Sequence, residues 1–409
     1  MTSQSTETSG LVAAICPVCH YSVASVFFDG GMQPLATLGW PDSSEEARNM
    51  TRFAHDFVQC PRCTHVWNRS FTYDAVPYQN NANRMFNSGG IWKGHLAETR
   101  DLLLDALPDE PTVIDIGCGE GHFVRGLAEA RQKKGRFVGF DPNTASESGR
   151  GVEFHSRYFK PLEDMSEFKP DAITVRHVLE HLLDPAALLE QLAWGAQTAG
   201  KPCWLFAETP CIDRVFETDR LADFFFEHVS HFTTESFRTL LERAGEVVEL
   251  SRGYDGEVVY GLVRLQVPES QVNQAASSLT FAERALSNRH NIREQLGALA
   301  GAGTSVAIWG GTGKAAAFIH QFQADADRFP IVVDSDPSKV GTHVPGTGQP
   351  IQSRDVLKER PVDTIIIPTQ WRAKDIVAEI DREGICAERI LIEHAGKLID
   401  FRRDNHPYN

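Results

Sequence analysis

The chain has 409 residues, of which 42% are hydrophobic and 23% are charged, a composition typical of a soluble globular protein with two or three domains. Its formal net charge of −15 argues against a surface for nucleic acid or for an anionic membrane, since either would need clustered lysine and arginine. No apolar run approaches the roughly 20 residues of a membrane-spanning helix, and the Ser/Thr-rich start lacks the features of a secretion signal. We therefore expect a cytoplasmic protein with neither nucleic-acid nor membrane partners.

Four of the eight cysteines form two Cys-x-x-Cys pairs near the start of the chain, Cys16 with Cys19 and Cys60 with Cys63. Each pair alone is also compatible with a redox dithiol. Two pairs in one segment, however, offer four thiolates, which is the ligand set of a closed tetrahedral Zn²⁺ site. Because four cysteines leave no open coordination position, we expect a structural zinc and predict a zinc-binding module over residues 1–75.

A strand, a glycine turn and a helix follow one another in the next part of the chain. Apolar residues run into Asp115, and Gly117, Gly119 and Gly121 then alternate with other residues before a helix-forming stretch. Because glycine has no side chain, the backbone N–H groups of such a turn can approach a ligand closely. The following strand ends at Asp141, the position at which an acid usually holds a ribose diol.

This turn has two alternative interpretations, a dinucleotide site and a purely structural turn. The Asp-x-Gly-x-Gly-x-Gly order resembles motif I of class I S-adenosylmethionine (SAM) methyltransferases more than the Gly-x-Gly-x-x-Gly order of dehydrogenases. In that interpretation Asp115 orients the methionine end of SAM, and Asp141 accepts hydrogen bonds from its ribose hydroxyls.

Helices alternate with apolar strands through residues 76–268, which we predict to be the SAM-binding domain. The strands are expected at 112–117, 136–141, 171–176 and 203–207. This alternation predicts an α/β fold with a parallel sheet, helices on both faces and a ligand at the carboxyl ends of the strands. At helical spacing after the third of these strands, His177 and His181 would share one face, a pattern that also occurs in metal pairs and in helix packing.

Glu227 and His228 stand side by side further along the chain. A carbon next to a ketone becomes nucleophilic only after a proton is removed, so methylation at such a carbon needs a base. His228 suits this role because its ordinary pKa is near neutrality, while Glu227 would orient a ligand or tune the local charge. Neighbours on an extended segment point in opposite directions, so both face one pocket only if the backbone turns. A structural histidine is the alternative for His228.

Residues 269–409 are predicted to form a third part of the chain. A polar stretch at 270–299 predicts a linker helix, after which a strand, a glycine turn ending at Lys314 and further strands at 330–336 and 363–368 indicate a second Rossmann-like unit. The turn is not a P-loop, because its glycines are too close together and no Ser or Thr follows Lys314. A second nucleotide site and a purely structural repeat both fit this pattern.

Together these features resemble the zinc-containing C-methyltransferases of nucleotide-linked 4-keto-deoxysugars, a family that acts notably at C3 of TDP-sugars. The features are the two cysteine pairs, the Asp115–Gly121 turn, the segments Arg176–Pro185 and Phe226–Phe232, and the late glycine-turn domain. The resemblance covers nearly the whole chain. It implies SAM and a structural Zn²⁺ as cofactors, a nucleotide-linked sugar as substrate, His177 as a cofactor contact and His181 as a secondary catalytic residue.

The resemblance also implies catalytic residues, with two departures. The family carries Tyr-x-Glu-His where this chain has Phe225 followed by Phe, Glu227 and His228, so the Glu-His pair matches and the tyrosine does not. A second family tyrosine lies in the connector before the SAM domain, where Tyr78 is the best match, although the serine-rich pattern after it is absent. These departures leave open an O- or N-methyltransferase acting on another sugar or natural product. A SAM-binding scaffold without activity is a further alternative.

Overall fold

The chain folds into two units, residues 1–268 and 269–409, in the computed structural model. The structure describes residues 10–38, 40–76, 87, 89–144, 146–149 and 151–408. Within these residues, no helix combines the length and the apolar character that crossing a membrane would require.

Unit 1 contains both strands and helices. Its strands are β1 (Leu11–Ala13), β2 (Val23–Gln33), β3 (Phe53–Gln59), β4 (Val66–Asn68), β5 (Thr112–Ile116), β6 (Arg136–Phe140), β7 (Val152–His155), β8 (Ala172–Arg176), β9 (Trp204–Pro210), β10 (Ser230–His231), β11 (Gly245–Gly253) and β12 (Val258–Leu265). Its helices are α1 (Ser44–Asn49), α2 (Gly90–Asp105), α3 (His122–Ala130), α4 (Pro161–Phe168), α5 (Pro185–Ala199), α6 (Asp213–Thr218) and α7 (Thr234–Leu241), and short 3-10 helices lie at Tyr73–Ala75, Leu179–His181 and Tyr254–Gly256.

Unit 2 contains the remaining elements. Its helices are α8 (Glu269–Gly301), α9 (Lys314–Phe322), α10 (Val356–Glu359) and α11 (Ala373–Arg382), with a 3-10 helix at Gln370–Arg372. Its strands are β13 (Val306–Trp309), β14 (Ile331–Asp334), β15 (Ile351–Ser353), β16 (Thr364–Ile367), β17 (Arg389–His394) and β18 (Lys397–Asp400).

The cysteine pairs belong to an antiparallel sheet with the strand order β1-β2-β3-β4-β10. One pair precedes β2 and the other precedes β4. The edge strand β10 comes from far along the chain, and its two residues pair with Trp67 and Val66 of β4. The Asn68 N–H continues this contact by donating to the Val229 carbonyl at 2.9 Å. The sheet of the predicted zinc module therefore includes the segment that follows His228.

The second sheet of unit 1 has the order β11-β12-β9-β8-β5-β6-β7. Its five strands from β9 to β7 are parallel, as the sequence predicts, and the apolar runs of β5 and β8 are buried on both faces. The antiparallel edge formed by β11 and β12 was not predicted. The chain order reverses between β5 and β8, and ligands of open α/β sheets bind at the carboxyl side of such a switch point. The glycine turn after β5 and the histidines after β8 both lie at this edge.

Unit 2 is a second α/β layer with the strand order β15-β14-β13-β16-β17-β18. Its strands are parallel except for the last pair. The predicted linker helix is α8, whose final turns bury Ile292, Leu296 and Leu299 against this unit. The predicted α/β class, with an N-terminal cysteine cluster and a C-terminal α/β unit, is confirmed.

Candidate active site

The turn after β5 has a left-handed backbone at its three predicted glycines, with φ of 69° at Gly117, 52° at Gly119 and 75° at Gly121. A Cβ on Gly117 would lie 2.3 Å from Val178, and one on Gly121 would lie 2.4 Å from Phe154, so both positions require glycine for packing. A Cβ on Gly119 would meet nothing within 4 Å. The backbone at Gly119 therefore faces open space in which a ligand can approach it.

Two predicted carboxylates flank this turn. Asp141 accepts the Gly119 N–H at 3.0 Å and the Asn143 N–H at 2.8 Å and is only partly buried. Asp115 is buried and accepts the Thr174 hydroxyl of β8 at 2.6 Å, and burial raises its pKa to about 6. The structure thus brings Asp141 beside the open turn, where it fits the role of a ribose ligand. Asp115 instead links the ends of two strands.

A buried carboxylate that the sequence analysis missed lies at the same edge. Glu208 of β9 is fully buried, and its oxygens accept from Arg176 at 2.5 Å, from His177 Nε2 at 3.0 Å and from His95 Nε2 at 2.6 Å. Arg176 is also its partner in the β8–β9 ladder. The strand was predicted to end at Ala207, three residues before its observed end at Pro210. Glu208 directly follows the apolar residues of this strand, and an acid in that position was the sequence signal that could have identified it.

His177 is held as a cation between two carboxylates. Its Nδ1 lies 3.5 Å from Glu180, its Nε2 lies 3.0 Å from Glu208, and its backbone N–H donates to the Glu208 carbonyl at 2.9 Å. Burial opposes the charge, but the hydrogen bonds with both carboxylates raise the pKa of His177 to about 9. Both ring nitrogens of His177 face carboxylates, an arrangement that favours a hydrogen-bonding role over the alternative of a metal pair with His181. The predicted helical spacing is also absent, because His177 has a φ of 53° and precedes the 3-10 helix.

His228 packs against a second histidine. Its ring centroid lies 4.8 Å from that of His181, at an interplanar angle of 75°, and 4.1 Å from the ring of Phe225. His181 Nδ1 lies 2.8 Å from the Glu227 carbonyl oxygen, which can only accept, so Nδ1 is the donor of this hydrogen bond. Burial, together with the neighbouring histidines, holds the pKa of His228 well below its usual range. His228 is therefore a neutral imidazole, which is the form required of a base.

The Glu227 carboxylate faces a different part of the molecule from His228. It is fully buried and accepts the backbone N–H groups of Ala36 at 3.1 Å, Thr37 at 2.7 Å and Leu38 at 3.0 Å. A turn in which the His228 N–H donates to the Phe225 carbonyl separates the two side chains. These contacts make Glu227 the anchor of the loop after β2. Its predicted catalytic contribution stays a prediction.

The connector before the SAM domain contributes a tyrosine other than the predicted one. Tyr78 lies outside the described residues. Tyr73 donates its hydroxyl to the His181 carbonyl at 3.1 Å and accepts the Leu183 N–H at 2.9 Å. It therefore fixes the backbone on both sides of Leu182, next to His181, a role that no local sequence signal indicates.

The four predicted metal ligands lie together. The Sγ atoms of Cys16 and Cys63 are 3.6 Å apart and those of Cys19 and Cys60 are 3.5 Å apart, with all four within 4.8 Å of one another. A tetrahedron with Zn–S bonds of 2.3 Å has S–S distances of about 3.8 Å, close to these values. The hydrogen bond from the Cys63 thiol lowers the pKa of Cys16 to about 6 and raises that of Cys63, while burial raises the pKa of Cys60 to about 11. In the cluster without a metal, the thiolate form is therefore favoured at Cys16 but not at Cys60 or Cys63. The thiol cluster fits a structural Zn²⁺.

Two family models match this chain. Residues 92–250 match a methyltransferase domain, and residues 263–389 match the C-methyltransferase C-terminal domain. The C-methyltransferase NovU of Streptomyces niveus is 24% identical over 416 residues, which cover 94% of each chain. An uncharacterized 37.1 kDa protein in transposon TN4556 of Streptomyces fradiae is 30% identical over 122 residues, or 26% of this chain, and this match spans only 34% of that protein's length.

Solved structures are similar to less than half of the chain. A SAM-dependent methyltransferase from Aquifex aeolicus has 17% identity and a TM-score of 0.32, and it covers 44% of this chain and 100% of its own. The N-methyltransferase NodS from Bradyrhizobium japonicum WM9 has 15% identity and a TM-score of 0.31, with the same coverage.

Proposed function

Because the chain belongs to the SAM-dependent C-methyltransferases, we propose that it methylates the carbon next to the ketone of a nucleotide-linked 4-keto-deoxysugar in natural product biosynthesis. The observation that carries this proposal is the packing of His228 against His181, with the two ring centroids 4.8 Å apart, just after β8 at the carboxyl edge of the parallel sheet. Transfer to oxygen or nitrogen does not require deprotonation of carbon, whereas transfer to a carbon next to a ketone does. The likeness to NovU along nearly the whole chain supports a carbon acceptor.

The SAM site would be formed by the glycine turn and Asp141. In this assignment the open backbone at Gly119 approaches the cofactor, Asp141 accepts from the ribose hydroxyls, and Asp115 keeps the turn in place through β8. His177 has both nitrogens taken by carboxylates, so we assign it to supporting this edge rather than to a hydrogen bond with the cofactor. When bound, SAM supplies a methyl group that its sulfonium already activates.

The residues of the chain then have separate tasks. His228 removes the proton from the carbon next to the ketone, and the electron pair of the broken C–H bond passes into an enolate. His181 lies against His228, and its Nδ1 hydrogen bond with the Glu227 carbonyl fixes the orientation of its ring. Tyr78 is retained as the candidate that contacts the acceptor from the connector. Positioning of the acceptor carbon against the methyl group would supply much of the remaining acceleration.

The acceptor test uses a TDP-linked 4-keto-6-deoxysugar that carries deuterium at the carbons next to the ketone. With SAM, we expect a product with one added methyl group and with the deuterium at the methylated carbon lost, as measured by mass spectrometry. Incubation without SAM controls for exchange with solvent. A methylated product that keeps its deuterium would contradict carbon methylation and favour oxygen or nitrogen as the acceptor atom.

We also propose that Cys16, Cys19, Cys60 and Cys63 hold Zn²⁺. The variant Cys60→Ser is expected to lose the metal, because structural zinc sites need their full set of ligands. The Cys60 pair leads into β4, which pairs with β10 beyond His228, so methyl transfer should fall more than SAM affinity. Metal content is measured by mass spectrometry, and S-adenosylhomocysteine binding by calorimetry.

The matched control for this variant is Cys386→Ser, which changes an exposed cysteine of unit 2 and should keep both metal and activity. Wild-type protein purified without chelators should contain one Zn²⁺ per chain. A Cys60→Ser variant that retains the full wild-type metal content would contradict the assignment of Cys60 as a ligand.

A further inference from the structure

A buried carboxylate that the proposed mechanism does not use lies beside the histidine pair. One oxygen of Glu180 and one nitrogen each of His181 and His228 lie within 4.8 Å of one another. Glu180 is 2% exposed and belongs to the 3-10 helix after β8. The Glu227 carboxylate, although adjacent to His228 in sequence, accepts backbone N–H groups of the loop after β2. The negative charge close to His228 is therefore that of Glu180.

Glu180 is held in an ionised state by two contacts. Its Oε2 accepts the Thr209 hydroxyl at 3.2 Å, and its Oε1 lies 3.5 Å from His177 Nδ1. An unpaired carboxylate at this depth would carry a large desolvation penalty. Burial opposes ionisation, but the hydrogen bond with His177 lowers the pKa of Glu180 below its usual value. Glu208 in turn holds His177 from the other side, so the position of Glu180 is fixed from β9.

We propose that Glu180 is the charge partner of the imidazolium that forms on His228, and thus a positioning residue for proton removal. This inference rests on the proposed function. As the C–H bond breaks, the proton bonds to a ring nitrogen of His228 and the electron pair enters the enolate, whose carbon then forms the C–C bond to the methyl group. His228 later returns the proton to water. The ion pair exists only once the proton has moved, so Glu180 favours the transition state over the resting site.

Among the residues that the structure describes, the other titratable groups facing His228 are histidines. The ring of His231 on β10 lies 6.1 Å away, His181 packs at 4.8 Å, and His177 adds a cation behind Glu180. Each of these disfavours a proton on His228. The negative charge of Glu180 counteracts the effect of these histidines and stabilises the protonated ring of His228.

The variant Glu180→Gln tests this charge while preserving side-chain length and an oxygen for Thr209. We expect kcat to fall about 100-fold, in the range of general acid–base effects, while the affinity for S-adenosylhomocysteine stays close to wild type. Exchange of the acceptor α-proton with D₂O, measured with S-adenosylhomocysteine bound, should fall in parallel. Thr209→Val is the matched control, because it removes one hydrogen bond and keeps the charge, and it should lose less than about tenfold.

A double variant separates a partnership from a merely structural role. If Glu180 acts through His228, Glu180→Gln should add little to the loss already caused by His228→Asn. If the double variant instead lost activity by the product of the two single losses, and the variants melted at lower temperatures, Glu180 would have a structural role and the proposal would be overturned.

An NMR titration of the His228 ring keeps the test independent of the acceptor. Removal of the Glu180 charge should lower the pKa of His228, because the imidazolium loses its partner. A wild-type ring that shows no imidazolium down to about pH 4, or a midpoint that does not move in Glu180→Gln, would overturn the assignment. A shifted midpoint in a protein that does not methylate 4-ketosugars would contradict the proposed function alone.

Discussion

His228→Asn is expected to abolish methyl transfer while leaving SAM binding close to wild type. Asparagine preserves a polar side chain of similar reach but cannot take up a proton. Loss of a base typically lowers the rate by about 10²–10⁴-fold. His228 suits this role because it is already neutral, which burial and the neighbouring histidines ensure. Turnover is measured by mass spectrometry of the methylated product, and binding by calorimetry with S-adenosylhomocysteine.

The control for this variant is His290→Asn on α8, since His290 is 71% exposed and pairs only with Glu294 among its ion-pair contacts in the described residues. It should retain wild-type turnover. If His228→Asn were fully active, His228 would have no part in proton removal, and the proposed mechanism would need another base.

Glu208→Gln is expected to lower the free energy of unfolding by about 3–5 kcal/mol, as is typical when one partner of a buried ion pair is removed. The Arg176 side chain is only 10% exposed and would keep its charge without the carboxylate. His177 would lose one of its two anionic partners at the same time. Urea denaturation at neutral pH measures the effect.

A surface pair provides the comparison for this variant. Glu246 and Arg264 lie 3.0 Å apart, with side chains 57% and 53% exposed, so Glu246→Gln should change stability by less than about 1 kcal/mol. Equal losses in the two variants would show that Glu208 is no more important to the fold than an exposed carboxylate.

The same network predicts a dependence on pH. The pKa of His177 is raised from 6.5 to about 9 in the folded protein, so its stabilising contribution is complete below 6.5 and is lost as the pH rises through about 9. The unfolding free energy of the wild type should therefore contain a component that declines over this range. In Glu208→Gln the pKa of His177 moves down, so that component should shrink. An unchanged slope would contradict the pairing of His177 with Glu208.

Local sequence patterns were enough to predict two features that the structure contains, the glycine turn and the cluster of four thiols. The alternating glycines and Asp141 are close along the chain, and each follows directly from the strand–turn–helix context. The cysteine pairs likewise have a spacing typical of metal ligands, and the four thiols do lie together. The glycine turn is one short segment, and the cysteines form two copies of the Cys-x-x-Cys pattern. Both can therefore be recognised without knowing which distant segments come into contact.

The missed residues depend on contacts between distant segments. Glu208 is recognisable only once β9 lies beside β8 and places it opposite Arg176. Tyr73 contacts residues more than a hundred positions away. β10 contains only two residues, too few to show the alternation of a strand. The direction of Glu227 depends on a loop near the start of the chain, which no pattern around residue 227 encodes.

Because β4 and β10 belong to one sheet, the segments that contain them can be exchanged between related proteins only together. The sequence predicts a domain boundary at residue 75, but Ser230 and His231 complete the sheet that precedes this position. A chimera that exchanges only the first 75 residues between two relatives would join mismatched edges directly beside His228. The exchangeable part is the N-terminal sheet together with residues 225–233. We accordingly expect these two segments to have been inherited, and to have diverged, as a linked pair.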